Sequence, residues 1–246
     1  MLKKIDSKAM GRSEREWLAS LHHFSFGDYY NLDNLDFGVL RVINDDLIEA
    51  GYGFPMHSHR NIEIVTYIID GELTHEDSMG NKRTLGRGEV QFMTAGTGVA
   101  HSEYNFGTKT LRLLQIWIMT DRKGHEPAYG DYSFAAAGRQ GKWQHLVSRT
   151  GGAAPVQIHQ DVNFYVAEIA AGKVLDFSVE AERQAYLVLI EGGAKVNGEI
   201  LDARDALESR IEHLEIVAVK DSHFLVIEMP DNHDWQLGQK LKDEEN

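Results

Sequence analysis

Short apolar runs ended by glycine turns set the main constraint on this fold. Twenty-three glycines but only four prolines are spread through the 246 residues. The runs Gly38–Ile43, Asn61–Asp70, Leu73–Glu76, Val90–Ala95, His101–Asn105 and Leu111–Met119 read as strands. So do Phe164–Ile169, Tyr186–Glu191, Ala194–Val196, Leu214–Val219 and Phe224–Met229. Asp70-Gly71, Met79-Gly80-Asn81 and Glu191-Gly192-Gly193 read as the turns between them. Strands do not alternate with helices at βαβ spacing, so the fold class is all-β, a sandwich or barrel. One short helix is expected over Ser13–Leu21, with Ser13 as its N-cap.

The strand rhythm breaks once, in the polar, glycine-containing stretch Thr120–Trp143. A quasi-repeat spans the break. Tyr67-Ile68-Ile69-Asp70-Gly71 followed by Gly86-Arg87-Gly88-Glu89 has the rhythm of Leu187-Val188-Leu189-Ile190-Glu191-Gly192 followed by Leu201-Asp202-Ala203-Arg204-Asp205. Two related barrels are therefore expected, over residues 1–130 and 131–246, the second a diverged copy. The charged tail after Pro230 is expected to fray over Lys240–Asn246.

Composition removes several function classes. Without cysteine there are no disulfides, thiolate zinc sites, iron–sulfur clusters or cysteine nucleophiles. A formal net charge of -13 argues against nucleic acid and anionic membranes as partners. The start Met1-Leu2-Lys3-Lys4-Ile5-Asp6 lacks the apolar core of a signal peptide. Leu113–Met119 and Tyr186–Ile190 fall far short of the ~20 residues that span a bilayer. A soluble cytoplasmic protein, and a monomer, is the expectation.

The chemistry is concentrated in two short motifs. In His57-Ser58-His59 the imidazoles stand two residues apart and share one face of an extended strand. His101-Ser102-Glu103 repeats that geometry with a carboxylate. On facing barrel strands the pairs would converge on one divalent transition-metal ion. Glu63 shares the parity of His57 and His59, so spacing alone leaves Glu63 and Glu103 as rivals for the carboxylate ligand. Gln115, polar on an apolar strand, is either a pocket group or a satisfied core amide. His22 and His23 are read as structural, and His75 as bonding the backbone or Asp77 beside a turn. His125, His145, His159, His213, His223 and His233 are isolated. No second His-x-His follows residue 103, so a metal is expected in the first barrel alone. Phe26, Tyr29, Tyr30, Phe54 and Phe92 are expected mostly in the core, with one or two lining the mouth of a pocket.

Gly51, His57, His59, Glu63, Gly88, Gly96, His101 and Asn105 resemble in order and spacing the two motifs of the cupin superfamily. Thr94 replaces the usual proline, the Glu63–Gly71 interval is one residue longer than usual, and two extra residues separate Gly96 from His101. Those departures narrow the resemblance. Met93-Thr94-Ala95-Gly96-Thr97-Gly98 followed by His101-Ser102-Glu103 resembles the signature of pirin and the bacterial pirin-like quercetinases. His22-His23-Phe24-Ser25-Phe26, Arg41-Val42-Ile43-Asn44-Asp45-Asp46 and His75-Glu76-Asp77-Ser78-Met79-Gly80 extend it. It covers residues 11–230 and is most specific in the first half.

The resemblance implies a bicupin: two antiparallel, jelly-roll-like β-barrels with few short helices. It implies metal ligation by His57, His59, His101 and Glu103, with Glu63 beside the ligands or hydrogen-bonding nearby. Fe(II) comes first by analogy, while the donor set also suits Ni, Cu, Co, Mn or Zn. The implied activity is that of a quercetin 2,3-dioxygenase, which opens a flavonol with O2 and releases carbon monoxide, with Glu103 handling the proton. The alternative it implies is a non-enzymatic regulatory protein that binds a protein partner in a metal- or redox-dependent way.

Overall fold

A computed structural model describes residues 1–211 and 213–231. His233 and the tail expected to fray lie outside them. Twelve strands come first in chain order: β1 (Leu2–Ile5), β2 (Gly11–Arg15), β3 (Leu18–His22), β4 (Leu40–Ile48), β5 (Gly53–His59), β6 (Ile62–Asp70), β7 (Leu73–Asp77), β8 (Lys82–Leu85), β9 (Glu89–Thr94), β10 (Val99–Tyr104), β11 (Leu111–Met119) and β12 (Ala128–Ser133). Ten follow: β13 (Gln144–Arg149), β14 (Val156–Ile158), β15 (Asn163–Ile169), β16 (Val174–Ser178), β17 (Arg183–Glu191), β18 (Gly193–Val196), β19 (Glu199–Asp202), β20 (Ala206–Ser209), β21 (His213–Ala218) and β22 (Ser222–Pro230).

Each half is one seven-stranded and one four-stranded sheet. The first pairs β12-β9-β6-β11-β4-β3-β2 with β5-β10-β7-β8. The second pairs β1-β20-β17-β22-β15-β13-β14 with β16-β21-β18-β19. All four residues of β1 thus pair with β20, far along the chain. Among the described residues no helix is long and apolar enough to cross a membrane.

The segment Ser13–Leu21 is not a helix. It forms most of the β2–β3 hairpin, with Ser13 opposite Ser20. Leu18 and Leu21 are buried in this pairing, and the Ser13 hydroxyl contacts His22 Nε2 at 2.8 Å instead of capping a helix. Strand β4 also runs further than its apolar residues suggest, through Asn44, Asp45 and Asp46. Asp45 stays in the strand because Arg112 and Arg204 each reach its carboxylate at 2.8 Å.

Burial explains why so many strands read as unbroken apolar runs. The two large sheets pack against one another, and the largest core cluster draws Val65, Tyr67, Ile69, Leu114 and Ile116 from one half and Phe164, Val166, Tyr186, Val188 and Ile227 from the other. The opposite faces of the same strands line the barrels, so both faces are buried and alternation disappears. In the first barrel Leu18, Ile48, Ile68, Leu73 and Leu113 fill one end. Thr66 and Gln115 continue that inward face as polar residues, which marks where the barrel changes from core to site. Gly71 makes the β6–β7 turn at φ +82°, where an added Cβ would lie 2.8 Å from Leu111 Cα.

Candidate metal centre

The small sheet of the first barrel carries the site. On β10, His101 pairs with His57 and Val99 with His59 across to β5. On its other side His101 pairs with Asp77 and Glu103 with His75 across to β7. Side chains at paired positions stand on the same face, so one inward surface presents ligand-type groups from three adjacent strands. Gly53 lets β5 approach closely, since a Cβ there would meet the Glu103 carbonyl oxygen at 2.2 Å.

The imidazoles of His57, His59 and His101 converge, with ring centroids 4.5–5.0 Å apart. Their donor atoms all lie within 4.8 Å of one another. Pro55 O sits 2.8 Å from His57 Nδ1, which leaves Nε2 to face the group. His101 is 1% exposed, and neither ring nitrogen has a hydrogen-bond partner among the described residues. A buried imidazole with both nitrogens unmatched is costly unless something binds it. Burial, with His57 and His75 nearby, lowers the His101 pKa to about 3. Burial, with His101 and His57, lowers that of His59 to about 4. Neutral imidazole is the form that ligates a metal, so the donor set fits a divalent transition-metal ion.

Glu103 belongs to a second, overlapping group with His75 and His101, also within 4.8 Å. Its Oε1 accepts 2.6 Å from Gln91 Nε2, and its Oε2 accepts 2.6 Å from Gln115 Nε2. Thr66 donates at 2.9 Å to Gln115 Oε1, and Tyr129 donates at 3.3 Å to Gln91 Oε1. Burial pushes the Glu103 carboxyl above its ordinary range, against the pull of His75 and the Gln115 amide.

A cavity of about 310 Å³ opens over the three imidazoles and Glu103. Phe26, Phe54 and Trp117 give it apolar walls, and His22, Asn44 and Asp46 give it a polar side. Trp117 stands 4.9 Å from His59, ring to ring. Of the five aromatics expected mostly in the core, with one or two at the pocket mouth, Phe26 and Phe54 line the cavity and Tyr30 is 71% exposed; His22, read as structural, also stands on the cavity wall. His22 contacts Asn44 Oδ1 at 2.7 Å on the cavity wall, whereas His23 is buried against the Tyr186 hydroxyl at 3.0 Å. Burial pushes the Asp46 carboxyl up to about 7, opposed by the Ser20 hydroxyl that donates to it and reinforced by Asp45 and Glu103.

Glu63 lies elsewhere. Asn61, at φ +52°, turns the chain between β5 and β6 and breaks the parity that would have aimed Glu63 inward. Its fully buried carboxylate accepts from the His159 and Gln160 backbone amides at 2.7 and 2.9 Å and from Thr94 at 3.3 Å. It joins the two halves instead of flanking the imidazoles. Asn44 and Asp46 enter the sequence reading only inside the Arg41–Asp46 motif, without a site role, and Gln91 not at all; the period-two placement of Asn44 and Asp46 on β4 is the available signal.

The second barrel carries other residues at the corresponding place. Its small sheet repeats the strand order, with β16 and β21 standing where β5 and β10 stand. There Phe177 pairs with Leu214 and Leu175 with Ile216, all packed in an apolar cluster.

Residues 5–118 match the Pirin family model, and residues 145–229 match the model described as quercetinase C-terminal cupin domain. The chain is 40% identical over 222 residues to quercetin 2,3-dioxygenase of Escherichia coli, an alignment covering 89% of this chain and 95% of the relative. It belongs to the pirin family. A pirin-like protein of Caulobacter vibrioides is 38% identical over 221 residues, 89% of this chain and 95% of that one. The crystal structure of the bacterial pirin YhhW from Escherichia coli in complex with nickel(II) superposes with a TM-score of 0.87, at 36% identity, over 94% of this chain and 99% of that one. The pirin fold and its bicupin architecture therefore account for the two barrels seen here.

Proposed function

We propose that this pirin is a metal-dependent dioxygenase that opens flavonols such as quercetin with O2 and releases carbon monoxide, using His57, His59, His101 and Glu103 as ligands. The observation that carries the reading is the His57–His59–His101 group at the floor of a cavity with aromatic walls and a buried carboxylate. The naming of a 40% identical relative as quercetin 2,3-dioxygenase supports it, and the nickel(II) complex of a related pirin supports a metal-binding protein. When bound, such an ion supplies Lewis acidity toward an ionised hydroxyl and a redox-active centre for O2, with Fe(II) the first choice.

The chain's own groups supply binding and proton handling. Phe26, Phe54 and Trp117 would hold a flat aromatic substrate over the imidazoles and keep bulk water away. His22 and Asn44 offer polar contacts to its ring hydroxyls. Glu103, made more basic by burial, accepts the proton of the flavonol 3-hydroxyl at one of its carboxylate oxygens. Gln91 and Gln115 hold that carboxylate in place while it does so.

The test is turnover of quercetin by metal-loaded protein in air, with oxygen uptake and carbon monoxide measured together. Equal molar consumption and release, abolished by chelation and by His101→Ala, is the expected result. Absence of metal-dependent turnover with every flavonol tried would remove the reading.

A further inference from the structure

The strand on the far side of β10 carries a histidine that the proposed activity does not use. His75 is fully buried, and its ring stacks on Tyr129 with centroids 4.3 Å apart and planes 12° from parallel. Its Nε2 lies 3.2 Å from Asp77 Oδ2. Asp77 is itself fixed by the Met79 and Asn81 backbone amides at 2.9 and 3.0 Å and by the Asn81 side chain. A carboxylate that takes one ring N–H and so aims the other nitrogen is the arrangement that orients metal-binding histidines. The other nitrogen, Nδ1, has no hydrogen-bond partner among the described residues. It is either a bare lone pair or a buried N–H without an acceptor, and both are unsatisfied.

We propose that His75, His101 and Glu103 form a second, inner cation position beside the one that His57 and His59 complete. The three donors lie within 4.8 Å of one another, a span that ligands ~2.0–2.2 Å from one ion close with small side-chain adjustments. Both nitrogens of His101 are unpartnered, and each Glu103 oxygen, with one amide donor, keeps a lone pair. Two imidazoles and a carboxylate select a borderline divalent ion such as Zn(II), Co(II) or Ni(II). The two positions share His101 and Glu103, so they compete for a single ion. Passing inward exchanges His57 and His59 for His75. His101 and Glu103 line the cavity and His75 stands behind them, outside its lining. The inner position does not depend on flavonols being the substrate.

Metal-free wild-type protein and the His57→Ala/His59→Ala double variant are titrated with Co(II), followed by its visible absorption and by elemental analysis of the dialysed protein. The double variant is expected to keep one equivalent of Co(II), more weakly than wild type, and to lose it when His75→Ala is added. A folded double variant that takes up no cobalt, or one whose cobalt survives His75→Ala, overturns the proposal. Should the double variant not fold, crystals of His59→Ala soaked in Co(II) decide. An anomalous peak within bonding distance of His75 supports the inner position; a peak elsewhere, or none, overturns it.

Discussion

Gln115 donates to Glu103 Oε2 at 2.6 Å, from the large sheet of the first barrel across to the small one. Its own carbonyl is fixed by Thr66, so the amide cannot flip without losing that bond. Gln115→Leu leaves a fully buried carboxylate oxygen without its donor. Stability should fall by about 1–3 kcal/mol, and metal affinity by roughly 10–100-fold, as for other groups that orient a ligand. Denaturant unfolding of the apo-protein and a metal titration measure the two effects separately. Unchanged values in both would show that the amide does not position Glu103.

Glu63 makes the opposite prediction. Its carboxylate ties the first barrel to the His159–Gln160 backbone. In Glu63→Gln one acceptor becomes an NH2 that faces backbone N–H groups. A loss of about 1–3 kcal/mol in stability is expected, while the bound-metal stoichiometry stays that of wild type. Loss of metal from a variant of undiminished stability would return Glu63 to the ligand set.

Asp46 gives a pH dependence with a definite sign. Its pKa is raised from 3.8 to about 7 in the folded protein, so the folded state holds the proton more tightly than the unfolded one. The resulting stabilisation is complete below about pH 4 and is lost as pH rises through 7. Asp46→Asn mimics the protonated group at every pH. The variant should match wild type in acid and exceed it above pH 7 by up to a few kcal/mol. Unfolding curves from pH 4 to 8 check this, and a difference that stays flat across the range would contradict it.

The residues that converge as imidazoles were legible because period-two parity within one strand is a local property: His57 and His59 had to share a face. The doubly buried strands were legible too, since runs such as Ile64–Ile69 stand out by hydrophobicity alone. Parity fails across a turn. One residue at positive φ, Asn61, was enough to send Glu63 to the seam between the halves. The β2–β3 hairpin was hidden because it is short and sits at a sheet edge, where polar residues remain exposed and the alternation is weak. Of the two partners open to His75, the backbone or Asp77, the structure shows Asp77, yet its place opposite Glu103 depends on the register between β7 and β10, which no spacing within either strand encodes. Asn44 and Asp46 looked like the end of a strand because buried polar side chains on a pocket wall have the same composition as a solvated turn.

Trp117 offers a direct report on the occupied centre. Among the described tryptophans, Trp117 is the one on the wall of the cavity, with its ring 4.9 Å from that of His59. Trp17 packs instead against Phe54 and Tyr52, and Trp143 against Phe177 in the second half. A paramagnetic ion held by His57, His59 and His101 would therefore sit close enough to quench Trp117 most strongly of the described indoles. Addition of Cu(II) or Ni(II) to metal-free protein should lower tryptophan emission in a saturable way, whereas closed-shell Zn(II) should bind with little quenching. In Trp117→Phe most of the quenching should vanish, although elemental analysis still finds the ion bound. Quenching of the same depth in that variant would mean that the ion binds away from His59, and the three-imidazole centre would lose its main optical support.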